Sequence, residues 1–303
     1  MLKIGIIGLG DIASKAYLPV ISRKKIEVHL YTRNKDNLLH LGEQYRFQNR
    51  HQSLDSLINS GIKAAFVHTP TASHYQIVEQ LLSNNIHVYV DKPVTYDYES
   101  TEKLVALANK KELMMMAGFN RRYAPAYRKL KELKDLNMIV MQKNRKSLPG
   151  DVRTFIFDDF IHVIDTLLFL FPHSIEKLIV TGKKKDALLY HVVVQFVSAQ
   201  GTTAIGIMNR DSGTIEEKLE VFTSVEKRVV YNVTDTIVYQ DKNEMKPGIN
   251  DWESTLHKRG FEQIVEVFLQ SLENSSSQFQ HHQDLLLTHK ICEQVVEELN
   301  QIN

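Results

Sequence analysis

The first thirteen residues, MLKIGIIGLGDIA, constrain what this chain can fold into more than any other stretch. A short apolar run, Ile4, Ile6 and Ile7, passes at once into Gly8-Leu9-Gly10-Asp11-Ile12-Ala13, a glycine-rich turn followed by residues able to open a helix. Strand, tight turn and helix in that order are the setting of a dinucleotide fingerprint. Gly8 permits the turn and Gly10 lets a pyrophosphate approach the backbone. Small Ala13 lets the helix pack close to the strand, and the first N–H groups of that helix, at Asp11, Ile12 and Ala13, point at the phosphates. Such turns also close ordinary strand-helix connections, so the surroundings decide.

The surroundings repeat the pattern. Strands are expected at Lys3–Ile7, Glu27–Tyr31, Ala64–His68, His87–Val90 and Leu113–Ala117, mostly continuous apolar runs of the kind found where both faces of a sheet are covered. Helices are expected between them, at Ile12–Arg23, Lys35–Tyr45, Ser53–Asn59, Ser73–Asn84 and Tyr98–Lys110, with Pro19 ending or kinking the first. This alternation predicts an α/β fold, a doubly wound parallel sheet of Rossmann type over residues 1–120.

After Asn120 the texture changes. A charged helix at Ala126–Leu136 gives way to strands at Met138–Asn144, Val152–Phe157, Ile175–Thr181, Leu188–Ser198, Thr202–Met208, Lys218–Phe222, Arg228–Val233 and Thr236–Gln240. Tight connections such as Ala199-Gln200-Gly201 imply a large, mostly antiparallel open sheet. Helices at Trp252–Leu272 and Asp284–Gln301 close the chain, separated by a polar loop, Asn274–His282, whose His281 and His282 read as solvated. Residues 121–303 are therefore expected to form an α+β domain for substrate binding and oligomerisation. The length agrees, because single cores stop growing near 250–300 residues and this chain has 303.

Charge narrows the partners. The 37 Lys and Arg nearly balance the 36 Asp and Glu, so no field of one sign is available to hold nucleic acid or an anionic membrane. No uncharged apolar run approaches the roughly 18 residues of a membrane span, and the apolar start is too short and glycine-rich for a signal peptide. The single cysteine, Cys292, lies in an amphipathic stretch, where buried filler is expected, and suits a reducing, cytoplasmic setting. The expected ligand is a small molecule, with no metal: His281-His282 lacks partners at metal-ligand spacing.

Several positions carry candidate chemistry. The second strand ends in Tyr31-Thr32-Arg33, where NAD-selective folds place an acid on the ribose. Thr32 stands in its place and Arg33 suits a 2′-phosphate, so NADP is expected, with NAD as the alternative. Thr69-Pro70 with His74, and Asp91-Lys92-Pro93, leave later strands at the carboxyl edge, where ligands bind in open α/β sheets. Proline beside Lys92 rigidifies that turn, in cis or trans. Further on, Asp158, His162 and Asp165 are spaced i, i+4, i+7 and would share one helical stripe. A histidine flanked by carboxylates can be held in one tautomer and supported as imidazolium, as a general base requires. Oxidising a secondary alcohol with a nicotinamide needs such a base and a positive charge near the developing alkoxide; His162 and Lys92 offer them.

Taken in order, the fingerprint at residues 8–13, the Thr-Pro loop with His74, Asp91-Lys92-Pro93, Gly118-Phe119-Asn120-Arg121-Arg122-Tyr123, and Asp158 with His162 resemble the glucose-fructose oxidoreductase / inositol dehydrogenase family, Gfo/Idh/MocA. The resemblance covers essentially the whole chain and is closer to the MviM-like branch than to inositol dehydrogenase. It implies an NAD(P)-dependent dehydrogenase or reductase for the hydroxyl or carbonyl of a sugar, cyclitol or derivative. Lys92 and His162 would be catalytic, Asp158 would orient the histidine, and Thr69, Pro70 and His74 would line the nicotinamide side. Asn120, Arg121, Arg122 and Asp165 would be substrate candidates, and the open sheet would make a homodimer or homotetramer. The family also holds a dinucleotide-binding regulator without turnover and NAD-assisted glycosidases, so both remain alternatives. Three departures stand out: Asp91 replaces the usual Glu, Thr32 the common acid, and Phe160 a glycine frequent two residues before the histidine, which would narrow the site.

Overall fold

The computed structural model describes residues 1–248, 252–272 and 278–302, and the chain divides into two compact units. Met1–Gly118 with Phe261–His289 form the first, and Phe119–Gly260 with Lys290–Asn303 the second. The expected division after residue 120 lies two residues from the first crossover. The return of 261–289 to the first unit is announced by no change of composition.

Six parallel strands build the first sheet: β1 (Lys3–Ile7), β2 (Glu27–Tyr31), β3 (Asn49–His51), β4 (Ala64–Val67), β5 (His87–Val90) and β6 (Met115–Ala117). Their order, β3-β2-β1-β4-β5-β6, reverses direction at β1, the switch point at which doubly wound sheets bind ligands. The central strands are apolar and sealed: Ile4, Ile6, Ile7, Ala64, Phe66, Val67, Val88 and Val90 are fully buried. Met114, Met115 and Met116 belong to the same core. Strand β3 is polar, Asn-Arg-His, which is why the apolar pattern does not reveal it. The helix after the fingerprint runs through Pro19. A π-turn at Ala13–Tyr17, in which the Leu18 N–H reaches back to Ala13 O, precedes Leu18–Ile21 and absorbs the proline.

The second unit holds eight strands: β7 (Met138–Asn144), β8 (Lys177–Lys185), β9 (Leu188–Val197), β10 (Thr203–Asn209), β11 (Glu216–Phe222), β12 (Lys227–Tyr231), β13 (Asp235–Gln240) and β14 (Asn243–Met245). Their order is β14-β13-β12-β11-β7-β10-β9-β8, antiparallel throughout except that β7 and β10 run parallel. Alternate residues of β9, β10 and β11 are buried, so one face packs and the other stays half-exposed. Helix Ile161–Leu170 sits on the packed face. It comes close because β10 carries Gly206, where a Cβ would lie 2.8 Å from Leu167 Cδ1 and 2.9 Å from Val163 Cγ1.

Three expectations after residue 120 need correction. Val152–Phe157 is helix, not strand: its β-branched and aromatic residues suit a sheet, but the Asp151 side chain accepts from Thr154 N–H at 3.0 Å and caps Val152–Thr154. Phe155, Ile156 and Phe157 are then buried in succession within a π-helical Phe155–Phe160, which a period-2 strand could not do. The helix at Ala126–Leu136 is shorter, Pro125–Lys131. The closing stretch Trp252–Leu272 is two helices, Thr255–Lys258 and Phe261–Ser271. They break at Gly260, whose φ of +83° and whose approach to Asn120 O, 2.3 Å from a built Cβ, exclude any larger residue.

The polar loop expected at Asn274–His282 falls partly outside the described residues, but its end is corrected. His282 lies in helix Gln278–Gln301 and is 3% exposed; its Nε2 accepts the Met115 N–H at 3.1 Å and its Nδ1 lies 2.6 Å from Asn109 Oδ1. Cys292 is buried and free, as the amphipathic reading expects.

Candidate functional site

In the first unit the fingerprint lies between two strand ends. Gly8 N–H donates to Tyr31 O at 2.9 Å and His68 N–H donates to Ile7 O at 2.7 Å. Gly8 has φ +87°, and a Cβ there would sit 2.8 Å from the His68 carbonyl and from Thr69 N. Gly10 is the opposite: nothing lies within 4 Å of its built Cβ, so its backbone faces open space. The helix starts there, Ser14 N–H being bonded to Gly10 O at 3.0 Å, which leaves the N–H groups of Asp11, Ile12 and Ala13 without intrahelical acceptors. A cradle of this kind fits a dinucleotide pyrophosphate, as its sequence implies. Asp11 is exposed in it, with its charge offset by Lys15 at 2.5 Å. Beside the cradle, Thr32 Oγ1 accepts from Asn34 N–H at 3.4 Å and Arg33 is exposed.

The loops after β4 and β5 are tied together by His74, which is 1% exposed. Its Nε2 lies 2.8 Å from Thr69 O and its Nδ1 3.0 Å from Pro93 O. Both partners are carbonyls, and a neutral ring donates to only one of them at a time. His74 therefore holds Thr69-Pro70 against the lysine loop from beneath. The Lys92-Pro93 peptide is cis and Lys92 is half-buried. From the other side, Val94 N–H donates to His289 Nε2 at 3.0 Å. Asp91, the short replacement for Glu, accepts from His68 Nδ1 at 2.8 Å; Gly118 leaves it room, since a Cβ there would fall 3.1 Å from Asp91 Oδ1.

In the second unit the helical run 152–170 carries Asp158 and His162, both half-buried and four residues apart. Phe160 is fully buried in the core. Asp165 is committed elsewhere: it is 1% exposed and accepts from Arg122 Nε at 2.9 and 3.0 Å. The wider π-turn at Phe155–Phe160 changes the angular step that an uninterrupted α-helix would give the i, i+4, i+7 stripe. Arg121 is equally committed, with Nε and Nη2 each 2.7 Å from the two Glu217 oxygens, and Asn120 Nδ2 donates to Arg259 O at 2.8 Å. These candidates thus spend their polar groups inside the unit.

Residues 2–119 match the Gfo/Idh/MocA oxidoreductase family, with its NAD-binding Rossmann fold, and residues 125–244 match the YceM-like C-terminal domain. The chain is 33% identical to the YceM protein of Salmonella typhimurium over 96% of each chain. It belongs to the Gfo/Idh/MocA oxidoreductase family. The crystal structure of the MviM dehydrogenase from Clostridium difficile is similar at a TM-score of 0.91 and 29% identity, covering 98% of this chain and 99% of that one. The myo-inositol 2-dehydrogenase of Thermotoga maritima is 24% identical over 78% of this chain and 77% of its own. The chain is thus an oxidoreductase whose first unit is an NAD-binding Rossmann fold.

Within this family member, one cluster escapes sequence reading altogether. Asp159, next to Asp158, faces Lys143, Arg145 and Arg210. These cations hold its carboxyl far below the usual range despite burial, while burial and the nearby Arg121 push Lys143 down to about 7. Glu217 is held down to about 2 by Arg121 against its own burial. Basic residues dispersed over 67 positions carry no motif; only the pairing of β7 with β10 brings them together. A cavity of about 430 Å³ lies elsewhere in the unit, among Pro125, Lys129, Arg228, Thr236, Val238 and Lys258, and none of the candidates above lines it.

Proposed function

We propose that this oxidoreductase transfers a hydride between NADP and a secondary alcohol, or the matching carbonyl, of a sugar, cyclitol or derivative. The observation that carries the reading is the open backbone at Gly10, followed by three helix-start N–H groups and flanked by exposed Arg33. The Thermotoga relative, by its name, acts on such a cyclitol. Arg33 and the absence of an acid at Thr32 favour the 2′-phosphate of NADP over a free ribose hydroxyl. When bound, the nicotinamide accepts or returns the hydride.

The chain's own groups supply the rest. His162 takes the hydroxyl proton on its ring nitrogen during oxidation and returns it during reduction, with Asp158 favouring the protonated ring. Lys92 steadies the alkoxide charge; the His74 and His289 contacts on either side of it fix the backbone that carries its ammonium. The half-exposed face of the second sheet, with Val140, Val193, Ile205, Ile207 and Phe222, suits pairing with a second copy of the chain. A lone free thiol, Cys292, suits the cytoplasm.

The test is nicotinamide absorbance across polyols, sugars and keto-sugars with NADP and NAD. Turnover is expected, faster with NADP, and Lys92→Ala should lower kcat by about 10²–10⁴-fold while Arg33→Ala narrows the cofactor preference. Undiminished turnover in Lys92→Ala would overturn the catalytic assignment. Tight NADP binding with no turnover on any substrate, and unchanged cellular function in Lys92→Ala, would mark a dinucleotide sensor instead.

A further inference from the structure

The second unit contains two kinds of paired arginine, and the difference is informative. Arg121 and Arg122 each meet one carboxylate with bonds of 2.7 Å, and of 2.9 and 3.0 Å, the distances of matched charge-assisted pairs. Asp159, by contrast, is over-subscribed. Lys143 Nζ is its nearest partner, and Arg145 and Arg210 stand farther off: Arg145 Nε at 3.2 Å and Nη2 at 3.4 Å, Arg210 Nη2 at 3.4 Å. One carboxylate cannot balance two arginines together with a lysine that burial and Arg121 push down to about 7, and burying surplus charge is costly unless a counter-ion arrives.

Two further observations point the same way. Arg210 has a side chain only 10% exposed, stacked with its guanidinium 4.6 Å from the Phe155 ring centroid, and its buried Nε has no hydrogen-bond partner. Arg145 keeps 34% of its side chain open, so the cluster reaches the surface there. The placement follows from topology. β7 and β10 are the parallel pair, Asn144 opposite Asn209, so Arg145 and Arg210 leave the same sheet edge side by side, with Arg145 N–H bonded to Asn209 O at 2.8 Å. Asp159 lies in the helical run of His162, three residues before it. Loop residue Gly150 lets the backbone pass close to Arg210, a built Cβ lying 3.3 Å from Nη1.

We infer that Arg145 and Arg210 form an oxyanion subsite, held open by Asp159, and that the substrate of this oxidoreductase carries a carboxylate or phosphate group that they read. Guanidinium donors left over from Asp159 match the paired oxygens of either group, and the added anion balances the surplus charge. The inference rests on the oxidoreductase reading for the rest of the substrate, an alcohol or carbonyl compound. It names what that reading leaves open.

Calorimetric titration of the full chain, loaded with NADP, tests it without requiring turnover. The probes are glucuronate, glucose 6-phosphate and glucose; the first two separate a carboxylate from a phosphate. At least one anionic sugar is expected to bind ten or more times tighter than glucose. Arg145→Gln should remove that preference and leave glucose binding unchanged, with Arg145→Lys restoring part of it. Arg210→Gln should act likewise, provided its melting curve shows a folded protein; Arg145, being partly exposed, keeps the test valid if it does not. Equal binding of charged and neutral sugars, binding of neither anion, or a preference that survives Arg145→Gln overturns the subsite. Preserved anion preference without hydride transfer to or from any probe would instead count against the oxidoreductase reading alone.

Discussion

The two units hold their polar interiors in different ways. The first pins its loops with histidines and backbone groups: Met114 N–H donates to His87, Met115 N–H to His282 and Val94 N–H to His289, while His74 bridges two carbonyls. The second sets charge against charge, joining Arg121 to Glu217, Arg122 to Asp165, and three cations to Asp159. Backbone-directed bonds fix where a loop runs, which a nucleotide cradle needs. Paired charges fix a field, which suits recognition of a polar substrate, at the risk that losing one partner strands the other.

That risk supplies the largest expected effect. Glu217→Gln leaves the Arg121 guanidinium buried and unpaired and weakens the acceptor of Tyr127 Oη, 3.1 Å away. Breaking a buried pair from one side costs about 3–5 kcal/mol, whereas replacing both partners by apolar residues of similar volume is often neutral. Urea unfolding should therefore show a severe loss for Glu217→Gln and a recovery for Arg121→Met combined with Glu217→Leu. A loss below about 1 kcal/mol in the single variant would mean that water replaces the carboxylate and that the second unit is not organised by charge.

Acid should separate the units next. Burial holds His282 and His289 down to about 4, against an ordinary value near 6.5. Between these values the unfolded chain binds protons that the folded chain refuses, so stability falls as pH drops from about 6.5 to about 4, by about 1.4 kcal/mol per pH unit for each fully effective histidine. Glu217 loses its contribution in the same direction but in a lower window: it is complete above about 4.5 and is lost as pH falls toward about 2. Hydrogen exchange at pH 7 and pH 5 should show protection falling first at Val94 and Met115, with the second unit intact. Simultaneous loss in both units at pH 5 would refute a histidine-based first unit.

The same contrast explains what the sequence discloses. Strands Lys3–Ile7, Glu27–Tyr31 and His87–Val90 and helix Tyr98–Lys110 agree with expectation because each depends on local apolar period, a cap or a glycine turn. The fingerprint, Lys92 and His74 lie where expected, at strand ends that the period marks. Arg121 and Arg122 read as substrate candidates, because their partners Glu217 and Asp165 stand 96 and 43 residues away and no local rule connects them. Val152–Phe157 misleads because composition favours a strand while one capping residue, Asp151, decides for a helix. His282 misleads because a buried neutral histidine and a solvated one look alike until the Met115 N–H is placed against it.

The smallest effect expected is that of a local device. The Asp97 side chain accepts from Ser100 N–H at 2.7 Å and caps helix Tyr98–Lys110, whose far end presents Asn109 to His282. Removing a cap of this type costs about 1 kcal/mol, because the freed N–H at the helix start finds water. Asp97→Ala should therefore lower the urea midpoint slightly and leave the slope unchanged. Since Asp97 and Glu217 share no partner, the double variant Asp97→Ala, Glu217→Gln should lose the sum of the single losses to within about 0.5 kcal/mol. An excess well beyond that would mean that the cap and the buried pair are energetically coupled although they share no partner.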